Sequence, residues 1–399
     1  MNILVTGSNG FIGRNLVSTL RNIKDDKDHR SSDLDIDNIF EYDVDTDEAL
    51  LDFYCKNADF VFNLAGVNRP KESSEFLAGN FDFASTLLNA LKKHNNYCPV
   101  MLASSIQASL YGPYEGSDYG RSKLLGEQLF FDYSASTGSK VLVYRFSNVF
   151  GKWSRPNYNS VIATFCNNIA KDLPIHVDDP SILLNLIYID DLMDEMIRAL
   201  IGRESHCYYD GLTPVESFDG QYCFVPVFHK STLGHIVDLL NQFKSQSCTN
   251  FIPDIPKGSF EKKLFSTYLS FLPSDSTIYP LDSHRDTRGS FTEIIKTSNS
   301  GQVSINVSKP GITKGQHWHH SKWEIFVVVS GVAKIQERNL STDEEREFIV
   351  SDDDLQAVYM LPGYTHNITN LSQNRDLVTL IWANEPFSSV SPDTYYEEV

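Results

Sequence analysis

A glycine-spaced turn near the start of the chain constrains its fold more than any other feature. The apolar segment at residues 2–6 has the length of a short buried strand, and residues 11–23 have the apolar spacing of a helix. Between them, Gly7, Gly10 and Gly13 allow a tight turn and a close backbone approach, and the helix N-terminus can then bind a pyrophosphate. This strand–turn–helix context predicts a dinucleotide-binding βαβ unit.

The first half of the chain alternates between strand and helix patterns. Such an alternation predicts an α/β fold with a Rossmann-type doubly wound parallel sheet. Helical patterns between residues 151 and 247 predict a substrate lobe beside this sheet. The further strand candidates lie at residues 39–42, 59–64, 99–104 and 141–146, and the helix candidates at about 80–94 and 118–137.

The second half has a different pattern. After Pro280 the chain consists of short strand candidates separated by turns, which predicts an all-β barrel or a double-sheet jelly roll. Prolines and one helical segment mark a junction before this point. We therefore expect a dinucleotide-binding domain with its substrate lobe at residues 1–247, a linker with a helix at 248–279, and a β-barrel domain at 280–399.

The charge and the cysteines narrow the function classes. A net charge of −18 argues against broad binding of nucleic acid or anionic membranes, although a few local basic side chains suffice for one nucleotide. Six scattered cysteines without a CxxC pair indicate reduced thiols. The N-terminal segment lacks a secretory pattern, and the apolar runs are shorter than the ~20 residues of a membrane span. We therefore expect a cytoplasmic protein without a membrane segment.

The residues near the second strand candidate leave the choice between NADH and NADPH open. Asp43 follows that strand, where an acid would hydrogen-bond a ribose 2′-hydroxyl and favour NADH. Arg14 is the nearest basic residue in sequence that could meet the 2′-phosphate of NADPH. Either side chain could instead be a solvated charge.

A serine, a tyrosine and a lysine predict acid–base chemistry at the carboxyl edge of the sheet. Tyr119 and Lys123 are spaced i, i+4 and share one helix face, and the preceding strand delivers Ser105 to the same edge. A phenol needs a nearby ammonium to become an effective acid or base at neutral pH, and a serine hydroxyl can orient a carbonyl. Together they would donate a proton to oxygen as hydride reaches carbon.

Neighbouring residues offer rivals for these roles. We favour Ser105 over Ser104 because it lies one residue further beyond the strand. Tyr111 and Tyr114 have no lysine four residues later, which makes them weaker candidates for the acid.

The second half of the chain contains the ligand set of a metal site. His317 and His319 are spaced i, i+2, so both side chains point to the same side of one strand. Glu324 and His366 come from neighbouring strand candidates and would complete the shell. Three imidazoles and one carboxylate suit Zn²⁺, Ni²⁺, Fe²⁺ or Mn²⁺ and leave a position for water or substrate. A structural metal and a surface histidine cluster are the alternatives.

These ligands lie in a pattern that is similar to the cupin motifs. The spacing from Gly311 through His317, His319 and Glu324 to Gly331 resembles the first motif, and the segment that contains His366 resembles the second. The resemblance implies a C-terminal cupin barrel.

The first half resembles the extended short-chain dehydrogenases/reductases, in the glycine turn and in the segments NLAG, RFSNVFG and YIDD. The resemblance implies that Ser105 and Gln107 contact the substrate, that Asn148 contacts a sugar nucleotide, and that Lys152 and Arg155 bind its diphosphate. For Asn80 a simple helix cap is the alternative to a cofactor contact. The implied cofactor contacts are Gly7, Gly10, Phe11, Ile12, Gly13, Arg14, Asp43, Leu64, Ala65, Gly66, Asn80, Tyr119 and Lys123.

Long segments of the chain, among them YGRSKLLGEQ, KPGITKGQHWHH and PDTYYEEV, resemble a family of bifunctional capsular polysaccharide synthesis enzymes. In that family a short-chain reductase is fused to a zinc cupin. The resemblance implies that the cupin epimerises C3 of a UDP-linked 2-acetamido-2,6-dideoxy-4-hexulose. The reductase domain would then reduce the C4 ketone with NADPH to a UDP-6-deoxy-L-talosamine, a precursor of N-acetyl-L-fucosamine. It further implies a homodimer and a diphosphate contact at Arg288.

Other functions are compatible with parts of this pattern. A sugar-nucleotide 4,6-dehydratase or 4-epimerase with a structural cupin is one, but a dehydratase would need an acid near position 107, and Gln107 cannot ionise. A non-catalytic protein that binds NADP or another ligand is the second. The intact set of Ser105, Tyr119 and Lys123 argues against it.

Overall fold

The computed structural model describes residues 1–30, 34–67, 76, 78–253, 255–297 and 299–399. The chain divides into two compact units. The first consists of Met1–Leu240 and Lys263–Leu272, and the second of Asn241–Lys262 and Pro273–Val399. No helix in the described part of the chain is both long and apolar enough to span a membrane.

The helices and strands alternate as predicted up to residue 146, and residues 148–232 contain six further strands that the sequence analysis did not predict. The helices are α1 (Phe11–Lys24), α2 (Glu48–Asn57), α3 (Phe83–Lys93), α4 (Asp118–Thr137), α5 (Val161–Ala170), α6 (Ile189–Leu200), α7 (Leu233–Thr249) and α8 (Phe260–Leu269). The strands are β1 (Asn2–Thr6), β2 (Asn38–Tyr42), β3 (Phe60–Asn63), β4 (Val100–Ser105), β5 (Val141–Phe146), β6 (Asn148–Phe150), β7 (Leu183–Tyr188), β8 (His206–Asp210), β9 (Thr213–Glu216), β10 (Tyr222–Cys223), β11 (His229–Thr232) and β12 (Phe251–Ile252).

The first unit is built on a doubly wound sheet of order β2-β1-β3-β4-β5-β10-β8-β9. The strands from β2 to β10 in this order pair in parallel, and β8 and β9 add an antiparallel edge. Separate apolar cores, one with Leu16 and Leu192 and the other with Leu87 and Phe130, contain residues of the sheet and of the flanking helices. The Rossmann-type sheet predicted from the alternation is confirmed.

Helix α4 has a well-defined start, which determines where its catalytic candidates lie. The Ser117 side chain caps the helix by accepting a hydrogen bond from the Gly120 N–H at 2.9 Å. Gly138 ends the helix in the left-handed conformation, with φ of +75°. Tyr119 and Lys123 therefore lie in the first two turns, next to the carboxyl end of β4.

The second unit is an antiparallel β domain, consistent with the predicted cupin-like barrel. One sheet has the order β12-β14-β15-β22-β17-β20, with β13 paired to β14, and the other has the order β19-β18-β21-β16-β23. Its strands are β13 (Ser283–Asp286), β14 (Gly289–Thr297), β15 (Gln302–Ser308), β16 (Thr313–Trp318), β17 (Glu324–Ser330), β18 (Val332–Asn339), β19 (Glu345–Ser351), β20 (Ala357–Met360), β21 (Tyr364–Asn370), β22 (Leu377–Ala383) and β23 (Tyr395–Tyr396).

Strand β15 has the reverse of the usual inside–outside pattern. Its buried side chains are polar, namely Gln302, Ser304 and Asn306, whereas the alternating Val303 and Ile305 are only half-buried. Buried polar side chains are costly unless they have partners, so an inner row of this kind indicates a polar cavity rather than a dry core.

Candidate active sites

In the glycine turn, Gly7 and Gly13 leave no room for a side chain. Gly7 has φ of +68°, and a Cβ atom on it would lie 2.7 Å from the Ala65 nitrogen. A Cβ on Gly13 would lie 2.1 Å from the Gly7 carbonyl oxygen. Glycine at both positions therefore lets the turn approach the 64–65 segment and the start of α1, which is the geometry of a pyrophosphate cradle.

A cavity of about 700 Å³ lies between this turn, the end of β4, the start of α4 and residues 146–160. It contains most of the residues predicted for cofactor and substrate. Those that line it are Gly7, Gly10, Phe11, Ile12, Gly13, Arg14, Leu64, Gly66, Ser105, Gln107, Tyr119, Lys123, Asn148 and Arg155.

Ser105, Tyr119 and Lys123 are brought together in this cavity. Burial raises the pKa of Tyr119 to about 12, and a hydrogen bond with Ser105 opposes that rise. Burial lowers the pKa of Lys123 to about 8, while the Glu127 carboxylate acts in the other direction. The Lys123 ammonium donates to the Ala103 carbonyl at 3.2 Å and lies 5.8 Å from the centre of the Tyr119 ring. A neutral phenol therefore lies beside a cation.

The rival serine has a different role. Ser104 donates a hydrogen bond to the buried Glu127, which is also bound by Arg145 through contacts of 2.9 and 2.6 Å. Arg145 in turn stacks over the Tyr222 ring at 4.1 Å. Since the Ser104 hydroxyl belongs to this network, Ser105 is the serine whose hydroxyl meets Tyr119.

Asn80 holds the chain near Lys123. Its side chain accepts from the Val67 N–H and donates to the Val67 carbonyl, each at 3.0 Å, and also donates to Ser122. Asn80 lies within a π-helical turn, Ala78–Asp82, and does not cap α3. A Cβ on Gly66 would lie 2.9 Å from the Lys123 nitrogen. Asn80 thus fixes the 66–67 backbone beside Lys123 without lining the cavity itself.

Three other predicted residues do not line this cavity. Lys152 forms an ion pair with Asp190 at 2.7 Å. Ala65 packs against the glycine turn. Both carboxylate oxygens of Asp43 accept backbone N–H groups, from Asn9 at 2.7 Å and from Val44 at 2.8 Å.

The four predicted metal ligands converge in the second unit. The ligand atoms of His317, His319, Glu324 and His366 all lie within 4.8 Å of one another. The buried Nε2 atoms of His319 and His366 have no hydrogen-bond partner within the described part of the chain. Burial and the neighbouring His366 lower the pKa of His317 to about 4, so its imidazole is neutral at physiological pH. Neutral imidazoles with unused lone pairs beside a carboxylate fit a divalent metal.

Residues 392–399, called the C-terminal strap below, support these ligands from behind. His319 Nδ1 donates to the Asp393 carbonyl, which leaves Nε2 as a metal ligand. The Asp393 carboxylate accepts from the backbone N–H groups of His320, Ser321 and Lys322 at 2.8–2.9 Å. Strand β23, within the strap, pairs with β16, which contains His317. His320 itself is exposed.

A cavity of about 530 Å³ opens onto the metal ligands. His317 and Glu324 line it together with the polar row of β15 and with Lys314 and Lys322. Arg288 also lines it and is paired with Asp286 at 2.7 Å. The cavity can therefore accept a polar, anionic ligand next to the cluster.

Sequence reasoning missed several residues of both sites. In the first unit, Trp153 and Tyr158 line the cavity, and the sequence analysis had singled out neither of them. In the second, Asp393, Thr394 and Lys322 surround the ligands. Lys322 lies two residues before Glu324, a proximity that could have singled it out, whereas nothing in the local sequence connects Asp393 with His319.

Two family models match the chain. The model of the NAD dependent epimerase/dehydratase family matches residues 3–206. The model described as polysaccharide biosynthesis C-terminal domain matches residues 284–395. Together they cover both sites.

Individual proteins match over the full length. A UDP-2-acetamido-2,6-beta-L-arabino-hexul-4-ose reductase of Pseudomonas aeruginosa is 36% identical over 99% of this chain and 98% of its own. The solved structure of the capsular polysaccharide assembling protein CapF from Staphylococcus aureus is 45% identical, covers 100% of both chains and has a TM-score of 0.86. The UDP-glucose 4-epimerase of Thermus thermophilus, at 19% identity, 68% of this chain, 99% of its own and a TM-score of 0.51, shares the fold.

Proposed function

The chain belongs to the NAD dependent epimerase/dehydratase family, and from this we propose that it is a bifunctional sugar-nucleotide enzyme of surface polysaccharide synthesis. Its substrate is a UDP-2-acetamido-2,6-dideoxy-4-hexulose. The second unit epimerises C3, and the first unit reduces the C4 ketone to a UDP-6-deoxy-L-talosamine. One observation carries the proposal: the set of Ser105, Tyr119 and Lys123 lines one cavity, and a cluster of three histidines and one glutamate that could hold a metal lies at another.

The reductive step needs a proton donor at the ketone oxygen. With a pKa of about 12, Tyr119 is a neutral phenol at pH 7 and can give its proton to that oxygen. Ser105 orients the carbonyl, and the Lys123 ammonium stabilises the phenolate left behind. When bound, the nicotinamide supplies the hydride that C4 receives.

The surroundings of the glycine turn favour NADPH. A cavity of about 500 Å³ beside the turn is lined by Arg14, Arg21 and Lys27. Arg14 is exposed and forms no ion pair with the described residues, so its guanidinium is available to a 2′-phosphate. Asp43, which would favour NADH, is engaged by backbone N–H groups.

The epimerisation step uses the acidity of the C3 proton next to the C4 ketone. A divalent metal, with Zn²⁺ our proposal, would be held by His317, His319, Glu324 and His366 and would act as the Lewis acid for that ketone. The row of Gln302, Ser304 and Asn306 offers hydrogen bonds to sugar substituents, and Arg288 offers a cation for the diphosphate.

A homodimer is part of the proposal. On the face of the second unit's larger sheet opposite its buried side chains, aliphatic and aromatic residues form continuous cross-strand rows. We call this the aliphatic face; it consists of Val303, Ile305, Ile325, Val327, Leu380 and Trp382. Its neighbours Val329 and Tyr359 are 43% and 54% exposed. An apolar sheet face of this kind suits a second copy of the chain.

Metal removal separates the two reactions. The protein is incubated with the UDP-keto-sugar and NADPH in D₂O, before and after chelation and after addition of Zn²⁺. We expect chelation to abolish deuterium incorporation at C3, measured by mass spectrometry. NADPH oxidation at 340 nm with the C3-epimerised substrate should persist, and Zn²⁺ should restore exchange. The absence of turnover with either NADPH or NADH would overturn the proposal.

A further inference from the structure

The cavity of the second unit contains a buried ammonium that forms no ion pair with a carboxylate of the described residues. Lys322 is only 5% exposed and lines this cavity with His317 and Glu324. Its Nζ atom has one hydrogen bond, to the Thr394 hydroxyl at 3.2 Å, and lies 5.9 Å from the centre of the Phe387 ring. No acidic side chain of the described residues lies within ion-pair distance of it. Burying an ion without a counter-ion is strongly unfavourable, which indicates that the partner of Lys322 is a ligand.

Lys314 also lines the cavity, and its ammonium differs from that of Lys322 because the protein provides its hydrogen-bond acceptors. Lys314 Nζ contacts three oxygens, the Asn306 side chain at 2.9 Å, the Val307 carbonyl at 2.8 Å and the Ser290 carbonyl at 3.4 Å. An ammonium has three N–H donors, so Lys314 is fully used by the protein. Lys322 retains donors for a ligand.

The position of Lys322 is fixed by the C-terminal strap. Its backbone N–H donates to the Asp393 carboxylate at 2.8 Å. The hydroxyl of Thr394 lies 3.2 Å from Lys322 Nζ and 3.4 Å from His319 Nδ1, so one residue contacts both the lysine and a metal ligand. A cation held in this way loses little side-chain entropy when an anion binds.

We propose that Lys322 is an oxyanion-binding residue of the metal-binding cavity. Its ligand is an anionic oxygen of the bound sugar nucleotide, either on the diphosphate or at the reacting end of the sugar next to the metal ligands. The inference deepens the proposed function and rests on it only in naming a sugar nucleotide as the ligand.

Two anions distinguish the sources of this oxygen. UDP is a probe for the diphosphate, and oxalate is a probe for a small oxyanion at the metal ligands. Binding of each to the Zn²⁺-loaded protein is measured by titration calorimetry for the wild type, Lys322→Met, Lys322→Arg and the control Lys334→Met. Lys334 is on β18, does not line the cavity and pairs with Glu347 at 3.6 Å. Zinc content and thermal unfolding verify that each variant is folded and loaded, and Lys322→Gln replaces the methionine variant if that one does not fold.

We expect Lys322→Met to weaken one of the two anions about 10- to 100-fold, as loss of a charge-assisted hydrogen bond does, and Lys322→Arg to recover part of it. Loss of UDP binding alone assigns the lysine to the diphosphate, and loss of oxalate binding alone assigns it to the reacting end. Unchanged binding of both, or a wild type that binds neither, overturns the inference. The protein does not convert either probe, so the binding measurements do not depend on the keto-sugar reaction. A protein that binds the anions but does not turn over the keto-sugar would contradict the proposed function and not the role of Lys322.

Discussion

Tyr119 is the residue on which the reductive half of the proposed reaction depends. Tyr114 lines the same cavity, but only Tyr119 contacts Ser105 and lies near the Lys123 ammonium. A phenyl ring at position 119 would fill the same space and remove the proton donor. The two tyrosines therefore form a matched pair for a test.

We predict that Tyr119→Phe lowers kcat for NADPH oxidation by about 10²-fold or more, the range for loss of a general acid. Tyr114→Phe should stay within a few-fold of the wild type. Both are measured at 340 nm, and NADPH binding is followed separately by cofactor fluorescence. A Tyr119→Phe variant with near-normal kcat would move the proton donor elsewhere.

The titration of Lys123 should make the reductase activity fall at alkaline pH. Burial lowers its pKa from the usual 10.5 to about 8, so the ammonium is present below pH 8 and is lost above it. The phenolate that forms when Tyr119 gives up its proton then has no adjacent cation. The values of kcat/KM, which report groups of the free enzyme, should therefore fall as pH rises through about 8.

The check is a profile of kcat/KM for the keto-sugar between pH 6 and 10. An arginine keeps its charge over this whole range, so Lys123→Arg, where it retains activity, should lose the descending limb. A wild-type profile that stays flat to pH 9.5 would contradict the assignment.

At the scale of the elements, the C-terminal strap contacts both a predicted metal ligand and the turn that follows it. Its Asp393 carbonyl orients His319, and its carboxylate holds the turn at residues 320–322. Although burial opposes ionisation, these N–H groups hold the pKa of Asp393 well below its usual range. The strap therefore acts on the metal site without providing a ligand.

We predict that Asp393→Ala weakens metal affinity by roughly 10-fold, the lower end of the range for partners that orient ligands, because it removes the carboxylate that holds residues 320–322 but keeps the backbone carbonyl that orients His319. Competition with a colorimetric chelator measures the affinity. Asp393→Asn retains an acceptor and should lose less. Asp376→Ala, which removes only a surface pair with Lys309, is the control. Equal affinities for Asp393→Ala and Asp376→Ala would show that the strap does not position the ligands.

Local periodicity explains which parts of these elements could be predicted. The spacing of Tyr119 and Lys123 on a helix, and of His317 and His319 on a strand, fixes their relative directions from a few residues. The alternation in β15 was visible too, but not which side faces inward. Apolar residues normally do, and here the inner side lines a cavity. Periodicity gives the two faces of a strand, and only the tertiary structure decides between them.

Long-range partners could not be predicted. Asp393 and His319 are 74 residues apart, and Glu127 meets Arg145 only because α4 packs on the sheet. The resemblance placed Lys152 at a diphosphate, and the structure pairs it with Asp190, a partner 38 residues away that its own segment does not indicate. The sequence shows that a side chain is charged, but the fold determines which group it pairs with.

At the scale of the whole molecule, the aliphatic face is the feature that bears on assembly. Val327 lies in one of its rows, between Leu380 and Ala357 on the neighbouring strands. A carboxylate at this position would be buried without a partner in a dimer that uses this face, whereas it is solvated in a monomer.

We predict that the wild type is a dimer and that Val327→Asp shifts it to a monomer, as measured by light scattering coupled to size-exclusion chromatography. Leu355→Asp, at a position that is 63% exposed in the loop before β20, should leave the dimer intact. A Val327→Asp variant that remains dimeric would assign the interface to another surface.

The C-terminal strap also has a consequence for the order in which the molecule is made. The ribosome completes all four metal ligands before it reaches Asp393, because the chain grows from its N-terminus. Until residues 392–399 have joined β16, an emerging chain has the ligands without the carbonyl that orients His319. We therefore expect a chain interrupted before residue 392 to contain all four predicted ligands and still to hold a divalent metal less tightly than the full chain.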